Sequence, residues 1–566
     1  MRKLYKANDD GAKLVFPAVA PFTMGAAGSL IAVLACVVFF VVAAGNNGFA
    51  AAAAETNATP PVTEPGTPSA VAPIPPPRFS IIVPVSAVPH EVNGRLILIL
   101  SPDAIGSDGD LRERLDDVPS SRKGATFGLD ADGVDAKGKT FTLDTGSGNI
   151  AMFPSQIAYK LTPGSYWVQA AFAWNPDQRS PDAPGNLYSK IRKITLPVSD
   201  DAPISLTLSE RGGEEKPPKE TYTHRWIKLP SPLLSHFYKR PEYLRAGVVL
   251  PPEWKDDPQK RFALCVRIGG FHTRYTSAAR LRPHAGIVQV MLDGEGPFGD
   301  PYQVNSSVSG PFGDAVIKEL LPAIEAQYRC GGAADKRFTT GGSTGGWVSL
   351  ALQIFYPDYF GGCWSGYPDS LDFHTYQNID LYNDTNAYVA PDGKERISMR
   401  DRVSGEMLFS VREECALENV SGFGNSYVTS GGQWGAWNTV FGRPDEKGRA
   451  VPLWDPLTGQ INHVEAKAAA AGYDVTRFCS KNWKTLGPKL NGKIHLWVGE
   501  HDEYFLNGGV HRFESFLKTA NPPANARIEY GPLEGHGWEP RSSGKILDEM
   551  LAVSRGTTLT NTVPGK

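Results

Sequence analysis

Cysteine and histidine are scarce in this chain, and charge of neither sign predominates. Its 566 residues include 6 cysteines and 11 histidines, and 57 Lys+Arg against 60 Asp+Glu leave a net charge of −3. A near-neutral surface lacks the cationic excess that draws proteins to phosphate backbones, so nucleic acid is not an expected partner. No Cys/His spacing resembles a zinc site, and no motif asks for a cofactor. Asp130-Ala131-Asp132-Gly133-Val134-Asp135 has the start of a calcium loop, but an EF-hand would want an acid or amide at Val134 and a glutamate at Phe141. A hairpin turn is expected there instead. Cys265, Cys330, Cys363, Cys415 and Cys479 lie beyond the N-terminal segment. In an oxidising compartment their odd number leaves at least one unpaired within the chain, and Cys265, inside a core-type strand, is expected free and buried.

One long uncharged stretch does occur. Arg2, Lys3, Lys6 and Lys13 precede a run without charge from Leu14 to Ala54, centred on the apolar Ala26–Ala44 and closed by Ala50-Ala51-Ala52-Ala53-Ala54. Basic flank, apolar centre and small-residue exit describe an export signal. The centre approaches the roughly 20 residues that a spanning helix needs, so residues 1–54 are read as a cleaved signal or a retained membrane anchor. Either way the protein is expected outside the cytoplasm, in the periplasm or extracellular. Residues 55–77, rich in Pro, Ala and Thr, read as an extended linker.

From 78 to 210 short apolar runs are separated by turn residues. Phe79–Val85, Arg95–Leu100, Ser165–Phe172, Lys190–Leu196 and Ile204–Leu208 have strand length. They predict an antiparallel β-sandwich of immunoglobulin-like architecture. A charged linker, 211–221, leads into a mixed α/β region, 222–556. The first module is expected to brace or space the second rather than to bind substrate.

Chemistry concentrates in the second region. Gly341-Gly342-Ser343-Thr344-Gly345 sits between the strand-like Arg337–Thr340 and the helix-like Gly346–Gln353. Gly-x-Ser-x-Gly between strand and helix is the nucleophile-elbow pattern, in which glycines relieve the crowding of a very tight turn. A serine hydroxyl needs a histidine to take its proton and a carboxylate to orient that histidine. The buried-strand pattern Lys493–Gly499 ends in Glu500-His501-Asp502-Glu503, and Arg527–Tyr530 leads into Gly531-Pro532-Leu533-Glu534-Gly535-His536-Gly537. The order Ser, acid, His follows, with Ser343 as nucleophile, Asp502 as acid ahead of Glu500 and Glu503, and His536 as base. The strand Ala263–Ile268 ends in Gly269-Gly270-Phe271-His272, a Gly-rich loop suited to supplying an oxyanion donor from Gly270 or Phe271, with the Thr344 amide as the second. His272 is expected in an ordinary hydrogen bond.

These residues and their surroundings resemble the putative-esterase family of α/β-hydrolases, which includes feruloyl esterases, enterochelin esterases, S-formylglutathione hydrolases and mycolyltransferases. The resemblance runs from about Leu244 to Met550, through Ala246–Pro252, Gly269-Gly270, Met291–Gly294, Ile317–Glu325, the elbow, Tyr356–Phe360 and the Asp502 and His536 loops. It implies an α/β-hydrolase fold and acyl-enzyme chemistry. Tannase-like esterases pair cysteines flanking the serine and histidine, whereas here the neighbours are Gly342, Gly535 and Gly537.

The stretch from about 371 to 480 exceeds what such a fold needs and reads as a cap-like insertion, with Val464–Ala471 helical. Its Trp434, Trp437 and Trp454 suit either an aromatic or sugar-binding cleft or packing of the cap onto the body. The expected activity is hydrolysis of a small-molecule or carbohydrate ester, acylated sugars and phenolic esters being natural candidates for an exported enzyme. The alternatives are acyl transfer from the same acyl-enzyme, a peptidase, and a non-catalytic binding protein on a hydrolase fold.

Overall fold

The computed structural model describes residues 74–103, 110–154, 161–198 and 202–559. The export segment and most of the Pro-rich linker lie outside the described residues.

An eight-stranded sheet organises the second region. Its strands are β1 (His224–Pro230), β2 (Tyr243–Val249), β3 (Ala263–Ile268), β4 (Ile287–Leu292), β5 (Arg337–Gly342), β6 (Gly362–Gly366), β7 (Ile494–Gly499) and β8 (Ala526–Gly531). They lie in the order β1-β2-β4-β3-β5-β6-β7-β8. β2 runs antiparallel to both neighbours, and β3 to β8 are parallel. This is the α/β-hydrolase arrangement that the resemblance implies. β3, β4, β6 and β7 are almost wholly buried, as parallel strands covered on both faces must be. Helices α1 (Leu321–Tyr328), α2 (Thr344–Phe355), α3 (Val411–Ser421), α4 (Gln433–Phe441), α5 (His463–Tyr473), α6 (Val475–Leu490), α7 (Asn507–Thr519) and α8 (Ser543–Ser554) accompany it. The parallel strands end together at β3, β5, β6, β7 and β8, so the loops that follow them converge on one edge.

The insertion after β6 holds a hairpin, Ile397–Arg400 with Met407–Ser410, then α3, α4 and α5. Ser410 caps α3 in a reciprocal capping box with Glu413. Trp434, Trp437 and Trp454 are buried, and their rings meet at centroid separations of 5.1 and 5.3 Å. Between the two readings of these tryptophans, packing is the one observed.

The first region forms a three-stranded and a seven-stranded sheet whose side chains share one core, including Phe79, Ile81 and Leu206 from the former and Leu96, Leu98 and Phe172 from the latter. One pairing, Phe79–Ile82 with Ile204–Thr207, is parallel, so the region is not wholly antiparallel as expected. The Asp130–Val134 stretch lies within a strand, Ala125–Val134, and the turn follows at Asp135, whose carbonyl accepts the Gly138 amide. Strand Val92–Ser101 is apolar on both faces for a reason. Leu96, Leu98 and Leu100 enter the shared core, while Ile97 and Ile99 enter a second cluster with Met399, Phe409, Leu417, Val420, Tyr504 and Leu506 of the α/β region. Arg95 of the same strand is fully buried and donates to the carbonyls of Val420 at 2.8 Å and Asn419 at 3.2 Å. All five described cysteines are free and buried.

Candidate active site

The chain turns from β5 into α2 at Ser343, with φ 58° and ψ −123°. A non-glycine residue in so sparsely populated a region carries strain on the order of 1–3 kcal/mol, which the surroundings must hold in place. They do so by close approach. A Cβ on Gly341 would lie 2.4 Å from the Ile268 carbonyl oxygen, and one on Gly345 would lie 2.2 Å from that oxygen and 2.6 Å from the Gly269 carbonyl. Both flanking positions therefore require glycine, and the loop after β3 rests against the first turn of α2. The Ser343 amide donates to the Gly366 carbonyl at 3.1 Å, and the Ser343 carbonyl accepts the amides of Trp347 at 3.0 Å and Asp369 at 3.2 Å.

The three carboxylates after β7 are disposed differently. Asp502 is fully buried; its Oδ2 lies 2.9 Å from His536 Nδ1, and its Oδ1 accepts the amides of Tyr504 at 2.9 Å and Leu506 at 3.2 Å. Glu503 accepts the backbone amide of His536 at 2.5 Å. Glu500 faces away, 2.9 Å from His511 Nε2. The His536 ring sits edge-on to Tyr367 and Tyr504, at 4.8 and 5.0 Å between centroids. Burial pushes the imidazole down, but the negative charges of Asp502, Asp369 and Glu503 outweigh it, so His536 binds its proton more tightly than an ordinary histidine.

Of the residues suited to an oxyanion hole, Gly270 accepts the Thr273 amide at 2.9 Å in a tight turn. The Phe271 side chain is buried, and Thr344 opens α2 immediately after Ser343. His272, with φ 58°, bonds the Gly431 carbonyl through Nε2 at 2.8 Å and places Nδ1 3.3 Å from Glu295. It ties the loop to the insertion.

One member of the site has no signature in the sequence. Asp369, three residues beyond β6, is buried with its Oδ1 3.4 Å from the Ser343 hydroxyl. Its Oδ2 accepts from Tyr302 at 2.6 Å, Thr344 Oγ1 at 3.0 Å and Trp437 Nε1 at 3.2 Å. Gln433 Nε2 in turn donates to the Tyr302 hydroxyl at 2.7 Å. Burial pushes the Asp369 carboxyl above the usual carboxylate range, and the donors only partly offset it. Gln433 and Trp437 both lie on α4 of the insertion, so this network connects the cap to the turn that presents Ser343.

No protein-family model matches the chain, and no curated protein does. Solved structures similar to it include a ferulic acid esterase (15% identity, 59% of this chain and 99% of the other, TM-score 0.31). An S-formylglutathione hydrolase from Agrobacterium tumefaciens shows 11% identity over 60% of this chain and 98% of its own, with a TM-score of 0.32. MPT51 from Mycobacterium tuberculosis shows 12% identity over 60% and 100%, with a TM-score of 0.34. The fold assignment stands on the strand order and its parallel pairing.

Proposed function

We propose that the protein is a serine hydrolase of carboxylic esters. The observation that carries this reading is the His536 imidazole held 2.9 Å from a fully buried Asp502, on the same sheet edge as a serine in a strained strand-to-helix turn. Asp502 Oδ2 accepts the Nδ1 proton and fixes the tautomer, leaving Nε2 as the base. The Ser343 hydroxyl attacks the ester carbonyl as its proton passes to Nε2. The negative charge that develops on the carbonyl oxygen is met by the Thr344 amide and an amide of the Gly270–Phe271 turn. Collapse expels the alcohol, which takes the proton from His536; water, deprotonated by the same imidazole, then releases the acid and restores Ser343. The residues Asp502, Glu503 and Asp369 around His536 favour the imidazolium, and so stabilise it as it forms.

The N-terminal basic and apolar segment supports a site of action outside the cytoplasm, where acylated carbohydrates and phenolic esters are substrates of the right chemistry. The test is labelling by a fluorophosphonate probe together with turnover of p-nitrophenyl acetate. Both are expected in the wild type and neither in Ser343→Ala; turnover that survives the substitution refutes the mechanism.

A further inference from the structure

A cleft lies beside the loop after β3. Its walls come from three separate parts of the chain. Leu115, Val118 and Pro181 come from the first region, Phe271 from the loop after β3, and Leu417 and Glu418 from α3. Gln433 also lines it, and its amide donates to the Tyr302 hydroxyl, which bonds Asp369 and Thr344. The cleft therefore borders the turn that holds Ser343 through one intervening side chain.

Leu115, Val118, Pro181, Phe271 and Leu417 give it an apolar surface, and Arg179, His272, Glu414 and Glu418 are its ionisable groups. Glu418 accepts from the Trp434 and Gly435 amides and from Ser430, all at 2.8–2.9 Å, and burial with the neighbouring Glu414 pushes its carboxyl up to about 8. Glu414 accepts from Ser398 and from Trp434 Nε1, and burial pushes it up as well. Glu418 is therefore held protonated near neutral pH. Arg179 keeps its charge, but its amide and its field meet Glu295, its Nη2 gives to the Thr429 carbonyl at 3.0 Å, and its guanidinium stacks 4.9 Å from the Phe423 ring. An apolar group entering here gains the burial of its surface against Leu115, Val118, Pro181, Phe271 and Leu417.

We propose that this cleft is the subsite for the larger, apolar portion of the ester substrate, and that the first region builds one of its walls. The inference rests on the proposed ester hydrolysis. It would give the first region a part in binding beyond the bracing or spacing expected from sequence.

Two series separate the acyl from the alcohol side of the ester: p-nitrophenyl acetate against p-nitrophenyl octanoate, and ethyl acetate against octyl acetate. In one series Val118→Trp, which fills the cleft from the first region, should lower kcat/KM for the long ester by ~10-fold or more while the short ester stays within about twofold. Leu417→Ala, on α3, enlarges the cleft and should raise the long-to-short ratio in the same series; because Leu417 is buried, its melting temperature is measured alongside. Short and long esters affected alike in both series, with the wild type active, overturn the subsite alone. A wild type inert towards all four esters refutes the hydrolase reading and the subsite with it.

Discussion

The turn around Ser343 and the insertion above it reach the same few ångströms by different means. The turn is built from neighbours in sequence, and its glycines leave space for the Ile268 and Gly269 carbonyls. The insertion arrives through side chains, with Trp437 and Gln433 on α4 meeting Tyr302 and Asp369 from far along the chain. Local backbone geometry sets where a hydroxyl can point, while long-range side chains set the charge around it. The two regions should therefore fail differently when damaged.

The sharpest separation is at the turn. Ser343→Ala should lower ester turnover by ~10⁴-fold or more, since only binding and the oxyanion donors remain, with an unchanged melting temperature because the hydroxyl is not a packing group. Asp502→Asn should follow at about 10⁴-fold, because an amide can neither fix the imidazole tautomer nor stabilise the imidazolium. Glu500→Gln should stay within about threefold, since the Glu500 side chain faces His511, and surface changes of this kind disturb little. Steady-state kinetics on p-nitrophenyl acetate decide the order; a crippled Glu500→Gln would mean that the acid is misassigned.

Asp369→Asn tests the insertion's side of the comparison. The groups that face His536 are Asp502 and Glu503 from the loop after β7, Asp369 from the loop after β6, and the rings of Tyr367 and Tyr504. Each negative charge stabilises the imidazolium, so the proton leaves only at a pH above the ordinary histidine value. Removing one charge should move the acid limb of kcat/KM to lower pH, because the neutral base then persists further into acid. The rate at the plateau should fall by about tenfold, as expected for a change in electrostatic positioning. An acid limb that does not move would show that Asp369 serves packing alone.

Legibility in the sequence follows the same division. The turn at Ser343 and the loops that bring Asp502 to His536 were readable because each depends on residues within a few positions: glycines that a tight turn needs, and a histidine and an aspartate just past buried strands. The sheet was readable for the same reason, strand by strand. Asp369 was not, since Tyr367-Pro368-Asp369 resembles any loop, and its meaning comes from Tyr302 and Trp437, which only the folded chain brings near. The two apolar faces of Val92–Ser101 gave a hint that was not followed. Leu96-Ile97-Leu98-Ile99-Leu100 lacks the alternation of a half-exposed strand, and a run buried on both sides needs a second partner, here the insertion and the acid loop.

The smallest effect on chemistry, and a clear one on stability, is expected where the first region grips the insertion. Arg95 is fully buried and gives its protons to the carbonyls of Val420 and Asn419, to Asn425 at 2.8 Å and to Asp130 at 2.6 Å. Arg95→Met keeps the length of the side chain but strands the buried carbonyls of Val420 and Asn419, each worth roughly 1–3 kcal/mol when buried without a donor. The melting temperature should drop by several degrees, at about 2–4 °C per kcal/mol for a sizeable domain. Because Val420 shares a hydrophobic cluster with Tyr504 and Leu506, whose amides hold Asp502, slight loosening there should cost no more than about twofold in kcat on a short ester, well below the effect of losing a group that touches the reacting atoms. A melting curve and a kcat value on the same preparation check both. Loss of most of the activity at an unchanged melting temperature would show that the first region acts on the chemistry through Arg95, and would erase the distinction drawn between the two sets of contacts.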